Sequence, residues 1–319
     1  MAEADLIGVL RAALGPAASA LGSRLSLGIG DDAACLEWVG GELVVSVDAQ
    51  VQGSHFDLRW LSLQDVGYRS LQAAASDLAA MAAEPVAAVA QLTLPRGFTR
   101  RRLAALAAGQ ARASEELGCP VIGGNLSRGG ELSVVTTVIG RARRPLRRAG
   151  ARPGDRLWLF GEVGLARAGL LLLSRGLARG DHAARLAVAA WRCPRAQLEA
   201  GLALRGAHAA IDVSDGLAGD AGQLAAQSGV RLVLSRAALQ GALPGALTRL
   251  AARLGESALD LALTGGEDYA LLVAAPPKWR APGGQEVGRV EAGAGAWLDD
   301  GARQRRLSGG FDPFVGARE

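Results

Sequence analysis

The chain has 319 residues, and half of them are hydrophobic, which is enough to build the cores of two ordinary domains. Its formal net charge is +4, but Lys278 is the only lysine among 35 basic residues, so arginine carries nearly all of the positive charge. These arginines are spread along the chain, and their densest cluster has no interleaved aromatic residues, which argues against a nucleic-acid partner. The cluster consists of Arg141, Arg143, Arg144, Arg147 and Arg148.

The three cysteines indicate a reducing compartment. Cys35, Cys119 and Cys193 lie far apart and are odd in number, so they encode neither a disulfide framework nor a zinc site. Acidic residues stand near the N-terminus where a signal peptide needs positive charge, and no uncharged apolar run reaches the roughly 18 to 20 residues that span a bilayer. We therefore expect a cytoplasmic protein with no membrane partner.

Hydrophobic periodicity predicts alternating helices and strands in the first half of the chain. The predicted elements are a helix over 2–21, a strand over 43–47, a helix over 61–83, a strand over 86–94, a helix over 99–117 and a strand over 132–139.

A domain boundary is expected in segment 141–155, because RARRPLRRAGARPGD has no periodicity, two prolines and a run of arginines. We divide the chain there into domains 1–142 and 143–319. The elements predicted beyond the boundary are helices over 165–178, 181–190 and 195–205, a strand over 209–213, and a strand-loop-strand region over 263–273. The mixture of elements predicts an α/β or α+β fold.

Acidic residues recur in Gly-rich turns and beside apolar segments, with no lysine or arginine directly next to them in sequence. They are Asp31, Asp32, Asp48, Asp77, Asp212, Asp215, Glu267 and Asp268. Two carboxylates 4 Å apart repel by about 4 kcal/mol at an effective dielectric constant of 20, so a cluster of them needs a cation. Oxygen ligands of this kind suit Mg²⁺. The alternative is that each acid is separately a turn former or a helix cap.

Other catalytic classes are excluded by missing motifs. The chain has no G-x-x-x-x-G-K-[ST], and its one lysine lies in the Pro-rich segment PPKW, which excludes a P-loop enzyme and a protein kinase. It also lacks the G-x-S-x-G elbow of a serine hydrolase. Any phosphate must be bound by metal ions, arginine or backbone N–H groups, for which GIG (28–30), GGN (123–125) and TGG (264–266) are candidate loops. Among the histidines, His55 is the functional candidate, because it follows the Asp48 turn.

Seven motifs occur in the order seen in one family: GIGDDAACL, SVDAQVQGSHFDL, SDLAAMAAEP, GGNLSRG, RAGARPGD, IDVSDGLAGD and TGGEDYALL. Over residues 28–273 the chain resembles the thiamine-monophosphate kinases, members of the aminoimidazole ribonucleotide synthetase-like superfamily. GGFDPF, at 309–314, is a weaker match. The resemblance implies an N-terminal mixed-sheet domain with helices on one side, which binds ATP and metal and dimerises, and a C-terminal α+β domain that completes the active site.

The activity implied by the resemblance is phosphorylation of thiamine monophosphate to thiamine diphosphate, with ATP as co-substrate and several Mg²⁺ ions. A homodimer is implied too, and a K⁺ requirement stays open. The metal residues implied are Asp31, Asp32, Ser46, Val47, Asp48, Asp77, Asn125, Asp212 and Asp215. The ATP contacts implied are Gly124, Asn125, Arg148 and Ser214, and the thiamine-phosphate contacts are His55, Glu267 and Phe311. No general base is expected, because a phosphate oxygen is already an anionic nucleophile.

Two departures from the family pattern keep alternatives open. The family commonly has S-T-D-T where this chain has Ser46, Val47, Asp48 and Ala49, and it has aspartate where this chain has Asn125. A related synthetase acting on another small acceptor is one alternative. A non-catalytic protein that binds nucleotide or thiamine phosphate is the other.

The amide at position 125 yields a prediction. An amide oxygen coordinates Mg²⁺ but brings no charge, so we expect Asn125→Asp to saturate with Mg²⁺ at a lower concentration than the wild type. A titration of rate against Mg²⁺ measures this, and equal curves for the two proteins would mean that Asn125 is not a ligand.

Overall fold

The computed structural model describes residues 24–27 and 31–311. They divide into two compact units, one ending at Pro145 and the other comprising Leu146–Phe311. The division falls inside the 141–155 segment, three residues beyond the boundary placed from the sequence. The predicted helix over 2–21 and the GIG loop at 28–30 lie outside the described residues.

The first unit is built on a six-stranded mixed sheet. Its strands are β1 (Leu25–Leu27), β2 (Ala34–Trp38), β3 (Gly41–Val51), β4 (Glu84–Leu94), β5 (Val121–Arg128) and β6 (Ser133–Ala142). They lie in the order β1-β2-β3-β6-β4-β5, and among these described strands only β4 and β5 pair in parallel.

Two helices of 18 residues each, α1 (Leu63–Ala80) and α2 (Arg100–Leu117), pack against each other, and α1 also packs on the sheet. A capping box between Ser62 and Asp65 begins α1. The helices approach closely at Gly67 and Gly109, where an added Cβ would lie 2.0 Å from a backbone oxygen of the other helix. Alternation along β3 turns Gln50 toward α1, with which its side chain bonds, and Val47 toward the opposite face.

The second unit contains a seven-stranded sheet in the order β13-β12-β9-β11-β7-β10-β8. These strands are β7 (Arg156–Phe160), β8 (Ala209–Val213), β9 (Arg231–Ser235), β10 (Ala270–Ala275), β11 (Gln285–Glu291), β12 (Gly295–Asp299) and β13 (Gln304–Arg306). Its helices are α3 (Leu165–Ser174), α4 (His182–Arg192), α5 (Leu198–Leu202), α6 (Leu217–Ser228), α7 (Arg236–Ala242), α8 (Gly245–Leu254) and α9 (Ala258–Thr264).

Most predicted elements are present, and the mixed α/β fold class is confirmed. Three details differ. The helix predicted over 195–205 is limited to Leu198–Leu202. The element that leads into the TGG loop is the helix α9 rather than a strand, because periodicity cannot distinguish the two in a short apolar run. GGN lies within β5 rather than in a loop. No helix among the described residues is long and apolar enough to cross a membrane.

The N-terminus of α3 is capped by a carboxylate from a distant part of the chain. Its N-cap is Gly164, which has no side chain to cap it, and Asp268 instead accepts hydrogen bonds from the backbone N–H groups of Gly164 (2.6 Å) and Ala166 (3.2 Å). Burial nevertheless raises the pKa of Asp268 to about 8, outweighing the lowering effect of these two bonds.

The raised pKa of Asp268 predicts a pH-dependent stability. Because the pKa of Asp268 in the folded protein, about 8, exceeds the ordinary carboxyl value of 3.8, this group lowers the free energy of unfolding as pH rises from about 4 to about 8. In Asp268→Asn the group no longer titrates, so the loss of stability between pH 5 and pH 9 should shrink by about 4 kcal/mol, because each of the roughly three pH units from 5 to 8 contributes about 1.36 kcal/mol. Urea unfolding of both proteins at the two pH values measures this, and parallel losses would contradict it.

Candidate functional site

In the first unit, polar side chains from three elements meet between β3 and α1. Ser46 on β3 donates a hydrogen bond to the Oδ2 atom of Asp77 on α1, and its Oγ atom is 3.1 Å from the backbone oxygen of Asp32. One carboxylate oxygen of Asp32 and one of Asp77 lie within 4.8 Å of each other. We call Asp32, Ser46, Asp48 and Asp77 the N-terminal acidic group. Asp77 reaches it from a helix whose residues are mostly buried.

The donors of this group suit a divalent cation. All are oxygen atoms of carboxylates or of a hydroxyl, which is the ligand chemistry that Mg²⁺ takes in proteins. Asp31 behaves differently, because its Oδ1 atom accepts a hydrogen bond of 2.9 Å from the backbone N–H of Asp32. Its carboxylate therefore also stabilises the turn before β2.

A buried arginine that sequence reasoning missed is connected to Asp48. The Nε atom of Arg69 donates to the Oε1 atom of Gln50 at 3.0 Å, and the Nε2 atom of Gln50 donates to the Oδ1 atom of Asp48 at 3.2 Å. Arg69 is on α1, so a cation does approach the acids that have no basic neighbours in sequence. The one sequence feature that could have indicated the role of Arg69 is its position eight residues before Asp77 in the same predicted helix.

Two residues with predicted metal roles lie away from this group. Val47 follows Ser46 on β3, and its side chain lies on the opposite face of the sheet and is 61% exposed. Asn125 is exposed on β5 and pairs with Gln91. Across the sheet, the row of paired residues that contains Asp48 passes through Gly124, so Asn125 lies in the next row and its side chain is on the opposite face. The structure therefore does not bring them to the α1 side of the sheet, and their metal roles stay predictions.

Gly124, a predicted ATP contact, has a structural reason to be glycine. Its φ is +148°, and an added Cβ would lie 1.8 Å from the backbone oxygen of Ala90 on the neighbouring strand. Gly124 thus permits the close approach of β5 to β4, whatever it binds.

His55 lies in the turn that follows β3. The backbone N–H of Val51 donates to its Nδ1 atom at 3.1 Å, so a neutral imidazole at this position carries its proton on Nε2. This leaves His55 with a donor nitrogen of the kind that binds a phosphate or carbonyl oxygen.

In the second unit, the turn after β8 is held by a buried carboxylate. Asp220 on α6 accepts hydrogen bonds of 3.2 Å from the backbone N–H groups of Asp215 and Gly216. Burial, with the nearby carboxylates of Asp215 and Asp212, raises the pKa of Asp220 well above its usual value. The sequence IDVSDGLAGD thus encodes both the acidic turn and the residue that fixes it.

Two further segments attach to the same turn. The backbone N–H of Glu267 donates to the backbone oxygen of Ser214 at 2.7 Å, and the backbone N–H of Phe311 donates to the backbone oxygen of Asp215 at 2.8 Å. Gly266 permits this contact, because a Cβ there would lie 2.6 Å from the Ser214 oxygen. Glu267 has φ +68°, a conformation that non-glycine residues rarely adopt. Five predicted site residues of this unit, Asp212, Ser214, Asp215, Glu267 and Phe311, therefore lie together.

The side chains of this unit add one partner that sequence reasoning missed and one predicted contact. The indole Nε1 of the buried Trp191 donates to the Oε2 atom of Glu267 at 2.6 Å. No short motif signals this pairing, because 76 positions separate the residues. Arg148 donates to the Oε1 atom of Gln223 at 2.6 Å, and its positive charge lowers the pKa of Asp220 slightly, so it lies near the acidic turn.

Comparisons with known proteins agree with both halves of the chain. The family model of AIR synthase related protein, N-terminal domain, matches residues 30–142, and that of the C-terminal domain matches residues 152–296. The thiamine-monophosphate kinase of Mycobacterium tuberculosis (strain H37Rv) is 37% identical over 281 residues, which are 86% of this chain and 82% of that protein.

Further relatives extend this agreement. The thiamine-monophosphate kinase of Aquifex aeolicus (strain VF5) is 32% identical over 274 residues, covering 85% of this chain and 89% of that protein. A solved structure of AaThiL complexed with AMPPCP and TMP has a TM-score of 0.88 at 30% identity and covers 98% of this chain and 97% of that chain. With its two AIR-synthase-type domains, the chain belongs to the thiamine-monophosphate kinase family and is a kinase.

Proposed function

We propose that this protein phosphorylates thiamine monophosphate to thiamine diphosphate with ATP and several Mg²⁺ ions. The observation that carries the proposal is the resemblance, over nearly the whole chain, to a structure complexed with AMPPCP and TMP, together with the aspartates present in both units. A turnover assay with ATP, Mg²⁺ and thiamine monophosphate tests it, and a parallel assay with Na⁺ replacing K⁺ decides the monovalent-cation requirement.

Each unit offers its own carboxylates to hold metal. In the first unit these are Asp32, Asp48 and Asp77, with the hydroxyl of Ser46, and in the second they are Asp212 and Asp215. Magnesium held by these residues would supply positive charge against the phosphates.

The nucleotide and the acceptor would be bound by side chains other than the metal-binding aspartates. Arg148 offers a guanidinium for a phosphate of ATP, and Ser214 offers a hydroxyl on the acidic turn. For thiamine monophosphate, His55 donates from Nε2, the Glu267 carboxylate accepts from an amino group, and the half-exposed ring of Phe311 stacks on an aromatic ring. Gly124 and Asn125 remain predicted nucleotide contacts.

The reaction we propose is a direct transfer. An oxygen of the acceptor phosphate attacks the γ-phosphorus of ATP, the new P–O bond forms as the bond to ADP breaks, and no side chain of the enzyme is phosphorylated. No base is needed, because the attacking oxygen is already anionic, so the residues contribute alignment and charge compensation. Labelled phosphoprotein trapped after incubation with ATP alone would overturn this route.

Substitution of Asp77 tests the metal role. Asp77→Asn removes one charge from the N-terminal acidic group, so we expect kcat to fall at least about 100-fold and the half-saturating Mg²⁺ concentration to rise, as for lost electrostatic stabilisation. Steady-state rates over a Mg²⁺ series measure both quantities.

Asp65→Asn is the matched control, because Asp65 lies on the same helix but takes part in its N-terminal capping box. It should retain wild-type Mg²⁺ dependence. Wild-type kinetics in Asp77→Asn would contradict the metal role. A wild-type protein that turns over ATP with another acceptor would support the related synthetase instead, and binding without turnover at high Mg²⁺ would support the non-catalytic alternative.

We infer also that the protein acts in the cytoplasm as a homodimer formed by its N-terminal sheet. The sheet face opposite α1 carries Val47, Val135 and Ile139, and β5 is an edge strand among the described strands, with Ile122 exposed. An apolar face beside an open edge is suited to pairing with a second copy.

Charge on this face should prevent dimerisation. Val135→Arg places a cation where the second copy would pack, so we expect the mass in solution to fall to that of a monomer at micromolar concentration. Val39→Arg is the control, because Val39 is 95% exposed in the turn between β2 and β3 and lies outside this face. Light scattering after size exclusion measures both, and an unchanged mass for Val135→Arg would contradict the inferred interface.

A further inference from the structure

Arg69 is the most deeply buried charged side chain that the described residues offer beside the N-terminal acidic group. It is 0% exposed on α1, and its Nε atom donates to Gln50 at 3.0 Å. A guanidinium inside a protein is costly unless it is hydrogen-bonded and its charge is compensated. Arg69 is connected to a carboxylate through Gln50, whose Nε2 atom donates to Asp48.

The arginine determines how the glutamine amide is oriented. A guanidinium has donors only, so Gln50 must turn its Oε1 atom toward Arg69. The Nε2 atom then faces the other way, and it donates to Asp48 at 3.2 Å. Gln50 is 2% exposed, so its amide has little room to adopt another orientation. The pair therefore forms a directed chain of two hydrogen bonds that ends on a carboxylate oxygen.

We propose that Arg69 is a positioning residue that acts through Gln50 to fix the carboxylate of Asp48 for divalent-cation binding. Holding one oxygen of Asp48 restricts rotation of the carboxylate, which also fixes the direction of its second oxygen. This inference rests on the proposed function only in taking Asp48 as a metal ligand.

Direct metal binding tests the proposal apart from turnover. Gln50→Met keeps the length of the side chain but removes both hydrogen bonds, and Arg69→Met removes the charge. We expect each to weaken Mn²⁺ binding, measured by electron paramagnetic resonance without substrates, by about 10-fold, the lower end of the range for loss of groups that orient metal ligands. Half-saturating Mg²⁺ for turnover should rise by a similar factor, while KM for thiamine monophosphate stays within about twofold.

A double variant distinguishes positioning from simple packing. If Arg69 acts through Gln50, the protein with both Gln50→Met and Arg69→Met should bind Mn²⁺ no more weakly than Gln50→Met alone. Independent effects that multiply would overturn the relay. If Arg69→Met does not fold, Arg69→Lys replaces it in the cycle, and wild-type Mn²⁺ affinity in Gln50→Met alone would refute the proposal.

Gln72→Met is the matched control, because Gln72 is also 2% exposed but bonds to Tyr68 elsewhere on α1. It should lower thermal stability without changing Mn²⁺ affinity, and equal weakening in Gln72→Met and Gln50→Met would overturn the proposal. Failure of the wild type to phosphorylate thiamine monophosphate would refute the proposed function, whereas the Mn²⁺ comparison would still decide the role of Arg69.

Discussion

Electrostatic repulsion among carboxylates is the constraint around which the first unit is organised. The pleat of β3 turns Ser46, Asp48 and Gln50 toward α1, and α1 presents Arg69 and Asp77 to them. The hydroxyl of Ser46 and the amide of Gln50 donate hydrogen bonds that compensate part of the negative charge. The buried guanidinium of Arg69 contributes indirectly, through its hydrogen bond to Gln50. The rest of the charge is what makes this side of the sheet suited to a cation.

The second unit meets the same constraint with backbone groups. Asp220 accepts two N–H groups of the acidic turn, and Asp268 accepts two at the start of α3. In both cases burial still raises the pKa, so backbone hydrogen bonds alone do not cover the cost of removing the carboxylate from water. The turn that carries Asp215 is thus held by a group that itself gains from nearby positive charge, which Arg148 supplies in part.

How much of this was accessible from the sequence depends on whether an interaction is local. Helix starts such as Ser62 with Asp65, and the strand that contains Asp212, follow from short patterns and were predictable. The order of the motifs indicated the family, and with it the residues of the N-terminal acidic group and of the acidic turn after β8. The pairing of Trp191 with Glu267 joins positions far apart in the chain, and that of Arg69 with Gln50 depends on sheet register, so neither has a sequence signature.

The alternation of side chains along β3 explains why neighbouring residues of one motif lie on opposite faces of the sheet. Ser46 and Asp48 face the helix, whereas Val47 between them faces away, so a motif read as one metal-binding unit is divided by the alternation of the strand. The valine at that position contributes an apolar side chain to the outer face, where a threonine would contribute a hydroxyl. The departure from the family's S-T-D-T pattern therefore changes the chemistry of the outer face directly, and the helix-facing acids keep the partners that position them.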